Sequence, residues 1–349
     1  MTRHLGLDYL RGVCAICVVI YHFGLWEFSL ESLSMGTFTV YMFFTLSSLT
    51  MILVYKEDLI SSISFEFVAR FMANRVARLI PLLFLVSSIM FAGKIVMGRN
   101  IYDTITQFIF TASALSGFHL PGFISIAVGS WSLGIEMVFY ILFPIIGLLA
   151  IRCSTRNLVL VTIALIVMQQ GIIHSIKDLD GAQHWYYYTT SAVFAPFFSM
   201  GFLISKISVE KRLLFFWMSF GLLIAICFFS SLFDLDVFRH NPSHTCLTIL
   251  AGLTVYFAFG AEVPKGLVKL ARFLGDISYS LYLTHWFTYM SLIKLKATLD
   301  GGEYFMIALF PVFSVLLATL TFYFFERPCR DAIRHHMGTR IAVPSRLIT

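Results

Sequence analysis

The stretch whose reading decides the fold is 7-LDYLRGVCAICVVIYHFGLWE-27. Its length matches the ~20 residues that an α-helix needs to cross a hydrocarbon layer of about 30 Å. Charged side chains occur only at Asp8, Arg11 and Glu27, and His22 is its one imidazole. Working outward, similar apolar stretches recur at 35–55, 79–98, 131–151, 157–175, 186–205, 213–233, 244–261, 275–294 and 304–326, which makes ten in all. The composition agrees: 58% hydrophobic, 13% charged and a mean hydropathy of +0.84, where a water-soluble domain carries roughly a quarter of charged residues. The expectation is an all-α, polytopic integral membrane bundle of about ten transmembrane helices. A soluble enzyme, a disordered chain and a repeat solenoid are excluded. Nothing resembling a cleavage site follows the first stretch, so it reads as an uncleaved anchor.

The segment 101–130 is only partly apolar and carries Gly117, Pro121, Gly122 and Gly129. An eleventh span, a re-entrant hairpin and an interfacial segment all fit it, and it stays outside the count. Ten spans place both termini and every second loop on one side. Nineteen of the 25 Lys and Arg fall there, leaving Lys94, Arg99, Lys177, Arg239, Lys294 and Lys296 opposite. That asymmetry predicts cytoplasmic termini in a cell inner membrane and keeps 101–130 as one outer excursion. The expected division is a transmembrane domain over 1–328 and a short basic cytoplasmic tail over 329–349. The six cysteines lie in or beside apolar stretches, and Cys14 and Cys17, though spaced as CxxC, lack partner ligands, so neither a disulfide framework nor a metal site is expected.

A charged side chain at the centre of a span costs on the order of 3 kcal/mol, so each one needs a partner or a task. Arg11 and His22 are eleven positions apart, which returns them to one helix face about 16 Å apart along the axis. Arg11 serves equally as a positive-inside anchor, and His22 as a core hydrogen-bonding residue or a base. Arg75 and Arg78, spaced i, i+3, present two guanidinium forks that suit either a phosphorylated molecule or lipid headgroups. In 130-SWSLGIEMVFY-140, Trp131 suits an interface and Glu136, about 7 Å deeper, asks for a cationic or histidine partner. His285 lies mid-span in the hydroxyl-rich stretch 275-GDISYSLYLTH-285. Glu326 precedes Arg327-Pro328, where the proline reads as a helix terminator. Asp178, Asp180, His184, Trp185, Tyr186, Tyr187 and Tyr188 form an outer acidic and aromatic cluster that suits sugars, or simply a membrane interface.

These residues together resemble the acyltransferase-3 family of integral membrane acyltransferases, whose bacterial members mostly O-acetylate surface polysaccharides. Leu7-Asp8-Tyr9-Leu10-Arg11-Gly12 followed by His22 is similar to the family's Arg-x10-His motif. Arg75-x-x-Arg78 before the third helix, Trp131-Ser132-Leu133 with Glu136 and Phe139-Tyr140, Ile277-Ser278-Tyr279-Ser280-Leu281-Tyr282-Leu283 with His285, and Glu326-Arg327-Pro328 follow in the family's order across residues 5 to 328. One departure is visible. After Phe43-Phe44 the family usually reads Ser-Gly where this chain has Ser47-Ser48, so the backbone there cannot be approached as closely as at a glycine. Some members carry a hydrolase-like domain after the last helix, and this sequence is expected to be a stand-alone form.

The resemblance implies an O-acyltransferase that moves an acyl group, acetyl in most members, from cytosolic acyl-coenzyme A to a hydroxyl of a cell-surface glycan or its lipid-linked precursor. Acetyl-CoA is then the donor substrate, no tightly bound cofactor or metal is implied, and the partners are acyl-CoA, the glycan and membrane lipid, with no nucleic acid. It implies donor binding at Arg75 and Arg78, general base catalysis by His22, and Arg11 on the donor's thioester or pantetheine region. Glu136 is then available to orient the imidazole. Asp8, Trp131, Tyr140, Ser278, Tyr279, His285 and Glu326 supply further polar positions. A proton-coupled exporter or flippase of a lipid-linked glycan is the alternative that ten spans with buried charges also suit, but it predicts inverted repeats that the sequence lacks.

Overall fold

The computed structural model describes residues 4–30, 35–61, 63–207, 213–232, 241–296 and 302–336. Every regular element among these residues is helical: α1 Leu5–Phe28, α2 Met35–Ser61, α3 Phe65–Val96, α4 Ile101–Ala112, α5 Pro121–Ile124, α6 Ser130–Arg152, α7 Thr155–Ile176, α8 Gly181–Tyr188, α9 Ser191–Ile204, α10 Leu213–Leu232, α11 Asn241–Gly260, α12 Val268–Lys296, α13 Gly302–Thr321 and α14 Arg327–His336. A helix stands at each of the ten expected stretches. By length and composition, seven candidate spans are apolar enough to cross a membrane, and α8 with α9 makes an eighth. The polar α12 falls outside that test, and α10 contributes a shorter apolar stretch, Leu213–Phe229. The chain is a multi-pass, all-helical bundle. Residues 337–349 of the expected tail lie outside the described residues, as do Phe233 and Arg3, Lys211, Arg212, Arg239, Arg340 and Arg346 of the charge count.

The segment 101–130 contains no span. α4 has 12 residues, about 18 Å of helix and well short of the hydrocarbon thickness. After it, a 3₁₀ turn at Ser116–Phe118 and the short α5 fold back against α6. The backbones meet at Gly117 and Gly134, where a side chain on either glycine would strike the other segment.

Three boundaries differ from the sequence expectation. α3 begins at Phe65, because the Ser64 hydroxyl accepts the Phe67 amide at 3.1 Å and caps it; Arg75 and Arg78 therefore lie inside α3, about three turns in, and not in front of it. The stretch 186–205 is two helices bent by 41°. There the Thr189 hydroxyl donates to the Trp185 carbonyl at 2.9 Å and accepts the Gly122 amide at 2.9 Å, which draws the backbone out of the helix. Finally, Pro328 does not end the last helix. A π-helical turn at Phe322–Glu326 carries the helix on into α14, and Pro328 stands just past that turn, where the backbone bonding changes from the π to the α pattern. Residues 329–336 of the expected tail are thus helical and pack on α3.

α1 packs along α12 and against α2, and α2 packs along α9. Small residues allow the close approach: Gly12 faces Leu274, and Gly275 faces Asp8. At the departure from the family pattern, Ser48 meets Gly201 of α9, so the glycine that permits contact sits on the partner helix. The six cysteines are separate thiols, with Cys14 and Cys17 buried in α1. Replacing Gly201 by Val would drive a side chain into the Ser48 hydroxyl and the Thr45 carbonyl. It should destabilise the bundle by about 1–3 kcal/mol, lowering the thermal unfolding midpoint in detergent. Gly171→Ala, on an exposed helix face with open space around it, should leave the midpoint unchanged or raise it.

Candidate active site

Polar side chains from α1, α2, α3, α6 and α12 line two cavities that lie end to end. The first is lined by Arg11, Ser47, Arg78, Ser132, Glu136, Ser278 and Tyr279. The second, which is the roomier of the two, is lined by Tyr21, His22, Thr37, Ser125, Trp131 and Trp185. Among the described residues, Val40 and Tyr282 alone line both. The order along each helix explains the arrangement. On α1 the eleven-residue spacing carries Arg11 into the first cavity and His22 into the second, and on α2 the lining runs from Gly36 in the second to Thr50 in the first.

Tyr282 stands at the junction, its hydroxyl held by two partners. Its hydroxyl donates to the Gly129 carbonyl at 2.9 Å and lies 2.8 Å from the Ser132 hydroxyl. Gly129, the residue before α6, has φ of 76°, a left-handed conformation that glycine adopts without strain. A Cβ there would stand 2.9 Å from the Tyr282 hydroxyl.

In the first cavity, an Arg11 guanidinium nitrogen lies 3.9 Å from Asp8. Glu136 accepts hydrogen bonds from the Ser47 hydroxyl at 2.6 Å and the Tyr140 hydroxyl at 2.5 Å. Its carboxylate is thus held by hydroxyls in the first cavity, whereas the imidazole expected beside it lines the second. Arg11 and Arg78 are close enough for their charges to act on each other, so two guanidinium groups lie among two carboxylates, Glu136 in the cavity and Asp8 beside Arg11. Arg75 lines neither cavity. Its guanidinium sits 5.6, 5.8 and 5.8 Å from the ring centroids of Tyr140, Tyr55 and Phe71, an aromatic cage that attracts a cation. The shared helix face predicted for Arg75 and Arg78 therefore divides between two environments.

Beneath this cavity, the Tyr279 hydroxyl donates to the Leu79 carbonyl at 2.7 Å and ties α12 to α3. Ser278 bonds back to the Gly275 carbonyl at 2.9 Å. The buried Glu326 accepts from Ser280 at 2.5 Å and lies 3.8 Å from Arg330, so it braces α12 against the last helix.

In the second cavity, His22 Nδ1 lies 3.0 Å from the Val18 carbonyl oxygen and 3.1 Å from Nε2 of His285. His285 is fully buried behind it and does not line the cavity. Trp26 stacks on both imidazoles, with centroid distances of 4.9 and 5.5 Å. Trp131 and Trp185 meet edge to face at 5.2 Å on the cavity wall. Of the outer acidic and aromatic cluster only Trp185 reaches the cavity. Asp180 instead caps α8 through the Gln183 amide at 2.7 Å, and Tyr188 bonds to Tyr41, whose hydroxyl lies 2.8 Å from His244.

Residues 4–326 match the acyltransferase domain of the acyltransferase-3 family. The chain belongs to that family. Among similar proteins, O-acetyltransferase OatA of Staphylococcus aureus strain NCTC 8325 is 25% identical over 356 residues, covering 93% of this chain and 57% of the relative. Peptidoglycan O-acetyltransferase YrhL of Bacillus subtilis, a provisional name, is 23% identical over 93% of this chain and 54% of its own. ORF330 of Acidianus two-tailed virus, provisionally named an acetyltransferase, is 25% identical over 79% of this chain and 80% of its own. The chain thus spans just over half the length of the two bacterial relatives. No solved structure matches it.

In this acyltransferase-3 member, sequence reasoning missed Trp26, Val40 and Tyr282 as parts of the site. Trp26 carried a usable signal, since it lies four residues after His22 and so on the same helix face. Tyr282 stood within the quoted motif, but its position between two cavities depends on α6. The placement of the two arginines separates their roles in stability. Arg75→Ala removes a cation from three rings and should lower the thermal unfolding midpoint in detergent by several degrees, whereas Arg78→Ala, which opens into a cavity, should change it little.

Proposed function

We propose that the protein is an O-acetyltransferase that takes acetyl groups from acetyl-coenzyme A in the first cavity and delivers them to a glycan hydroxyl in the second. The observation that carries the reading is the meeting, at Val40 and Tyr282, of a guanidinium-lined cavity and an imidazole-lined one. Coenzyme A is a polyanion on a long flexible arm. The guanidinium forks of Arg11 and Arg78 suit its phosphates, and the junction at Val40 and Tyr282 suits the arm's acyl end. Arg75 supports this cavity from behind, through Tyr140 and hence Glu136. Because Arg11 and His22 are separated by about 16 Å along α1, Arg11 serves the donor's arm better than its carbonyl. The second cavity offers the faces of Trp131 and Trp185, which suit the C–H face of a sugar ring.

In the reaction, the sugar oxygen attacks the thioester carbonyl while His22 takes the hydroxyl proton. The tetrahedral adduct collapses, the carbon–sulfur bond breaks, and the imidazolium returns its proton to the departing thiolate. The products are a glycan acetate ester and free coenzyme A, and His22 is again neutral. The names of the bacterial relatives support O-acetyl transfer, and that of YrhL supports an envelope glycan or its lipid-linked precursor as acceptor. The excess of Lys and Arg supports an inner-membrane orientation with both termini and the Arg11 end in the cytoplasm.

The experiment is mass spectrometry of envelope glycans from cells with and without the gene, which should differ by one acetyl mass on a defined sugar; identical spectra refute the assignment. His22→Ala should lower transfer by about 100- to 10,000-fold while titration with labelled acetyl-coenzyme A still saturates. The Arg11→Ala, Arg78→Ala pair should lose that binding, and unchanged affinity would move the donor elsewhere. In a cysteine-free background, single cysteines at the exposed positions 156 and 180 test the orientation: an impermeant reagent outside the cell should label 180 and spare 156.

A further inference from the structure

His285 is a fully buried imidazole that lines neither cavity, so no substrate reaches it in either one. Among the described residues, its one side-chain hydrogen bond to the site is to His22. Both rings present Nδ1 to a carbonyl of their own helix, His22 to Val18 at 3.0 Å and His285 to Leu281 at 3.2 Å. A carbonyl oxygen only accepts, so each Nδ1 carries the hydrogen. A neutral imidazole has a single N–H, and each Nε2 is therefore a bare lone pair. His285 Nε2 lies 3.1 Å from His22 Nδ1. The hydrogen on His22 Nδ1 is thus shared between the Val18 carbonyl and the His285 lone pair, and the remaining lone pair of His22 belongs to Nε2.

We propose that His285 is a positioning residue: it fixes the tautomer and ring orientation of His22 so that Nε2 is the basic atom offered to the substrate hydroxyl. The inference rests on the reading of His22 as the base. The proton bookkeeping is closed within the pair. When Nε2 of His22 accepts the hydroxyl proton, the ring becomes an imidazolium, and its Nδ1–H bond to His285 becomes charge-assisted. His285 keeps its own hydrogen on Leu281 and stays neutral throughout. Trp26, stacked on both rings, offers the transient cation an aromatic face. An uncharged acceptor suits this depth, since a carboxylate in its place would cost on the order of 3 kcal/mol in a span.

The test compares His285→Gln, His285→Phe and His22→Ala, using labelled acetyl-coenzyme A and membrane vesicles that carry the cell's own envelope glycan, at matched protein level. The Gln side chain reaches with an acceptor oxygen to about where Nε2 lies, whereas Phe keeps the ring and removes the acceptor. Should the Phe variant fail to fold, His285→Met serves in its place. The expected result is a loss in kcat of about 100-fold for Phe, recovery to within about tenfold of wild type for Gln, and a KM for acetyl-coenzyme A within about threefold in both. Combined with His22→Ala, the Phe change should cost nothing further, because a positioning residue has no effect once its partner is gone. Equal losses for Gln and Phe, near wild-type turnover for Phe, or a change confined to KM would each overturn the proposal. Activity in His22→Ala would instead refute the base assignment on which it stands.

Discussion

A hydrocarbon layer offers no water to an arginine, a glutamate or a histidine, and the arrangement of this bundle follows from that constraint. Hydroxyl side chains away from the cavities turn back onto their own helix: Thr45 to the Tyr41 carbonyl at 3.0 Å, Thr162 to Leu158 at 2.8 Å, Thr284 to Ser280 at 2.7 Å. Many of the groups that cannot be satisfied in that way face each other across α1, α2, α3, α6 and α12, while Tyr41, Tyr188 and His244 meet across α2, α8 and α11. The polar lane through the bundle is therefore where many of the residues that hydrocarbon rejects are collected, and it is also where the proposed function places a polar substrate.

The bundle was legible in the sequence because the bilayer imposes a length and a composition that can be counted. The motif residues were legible too, in the sense that Arg11, Arg78, Glu136 and His22 all line cavities. Their pairing was not. Spacing on one helix fixes depth and face, whereas the partner depends on the register of a neighbouring helix. Glu136 thus met Ser47 and Tyr140 in place of an imidazole. Arg75 and Arg78 show the limit of spacing itself. Three residues fall about 60° short of a full turn, enough to send one guanidinium into an aromatic cage and the other into a cavity. Helix ends were misjudged where a hydroxyl decided them, as at Ser64 and Thr189, because such caps carry little hydropathy signal.

The two cavities differ in how they treat charge. One contains arginines with Glu136 and Asp8 beside them, and the other contains an imidazole, hydroxyls and aromatic faces. In a medium of low polarity a charge acts over a longer distance than in water. For the proposed reaction, fixed charges in one chamber and a proton acceptor in the next would let an anionic cargo be held firmly without altering the chemistry at its tip. Tyr282, fixed to Gly129 and Ser132, is the partition that maintains that separation.

The π-helical turn at Phe322–Glu326 bears on how this chain is compared with others. Such a turn places one residue more in its loop than an α-helix of the same rise, so the helix beyond it is out of phase with the helix before it. Glu326 is the last residue of the turn, and the phase it sets lets it face Ser280 while Arg330 remains one α-helical turn away. Relatives with an unbroken α-helix here align with this chain past Arg327 only when a one-residue gap is opened between 322 and 326. An ungapped comparison would pair every residue of α14 with the wrong counterpart.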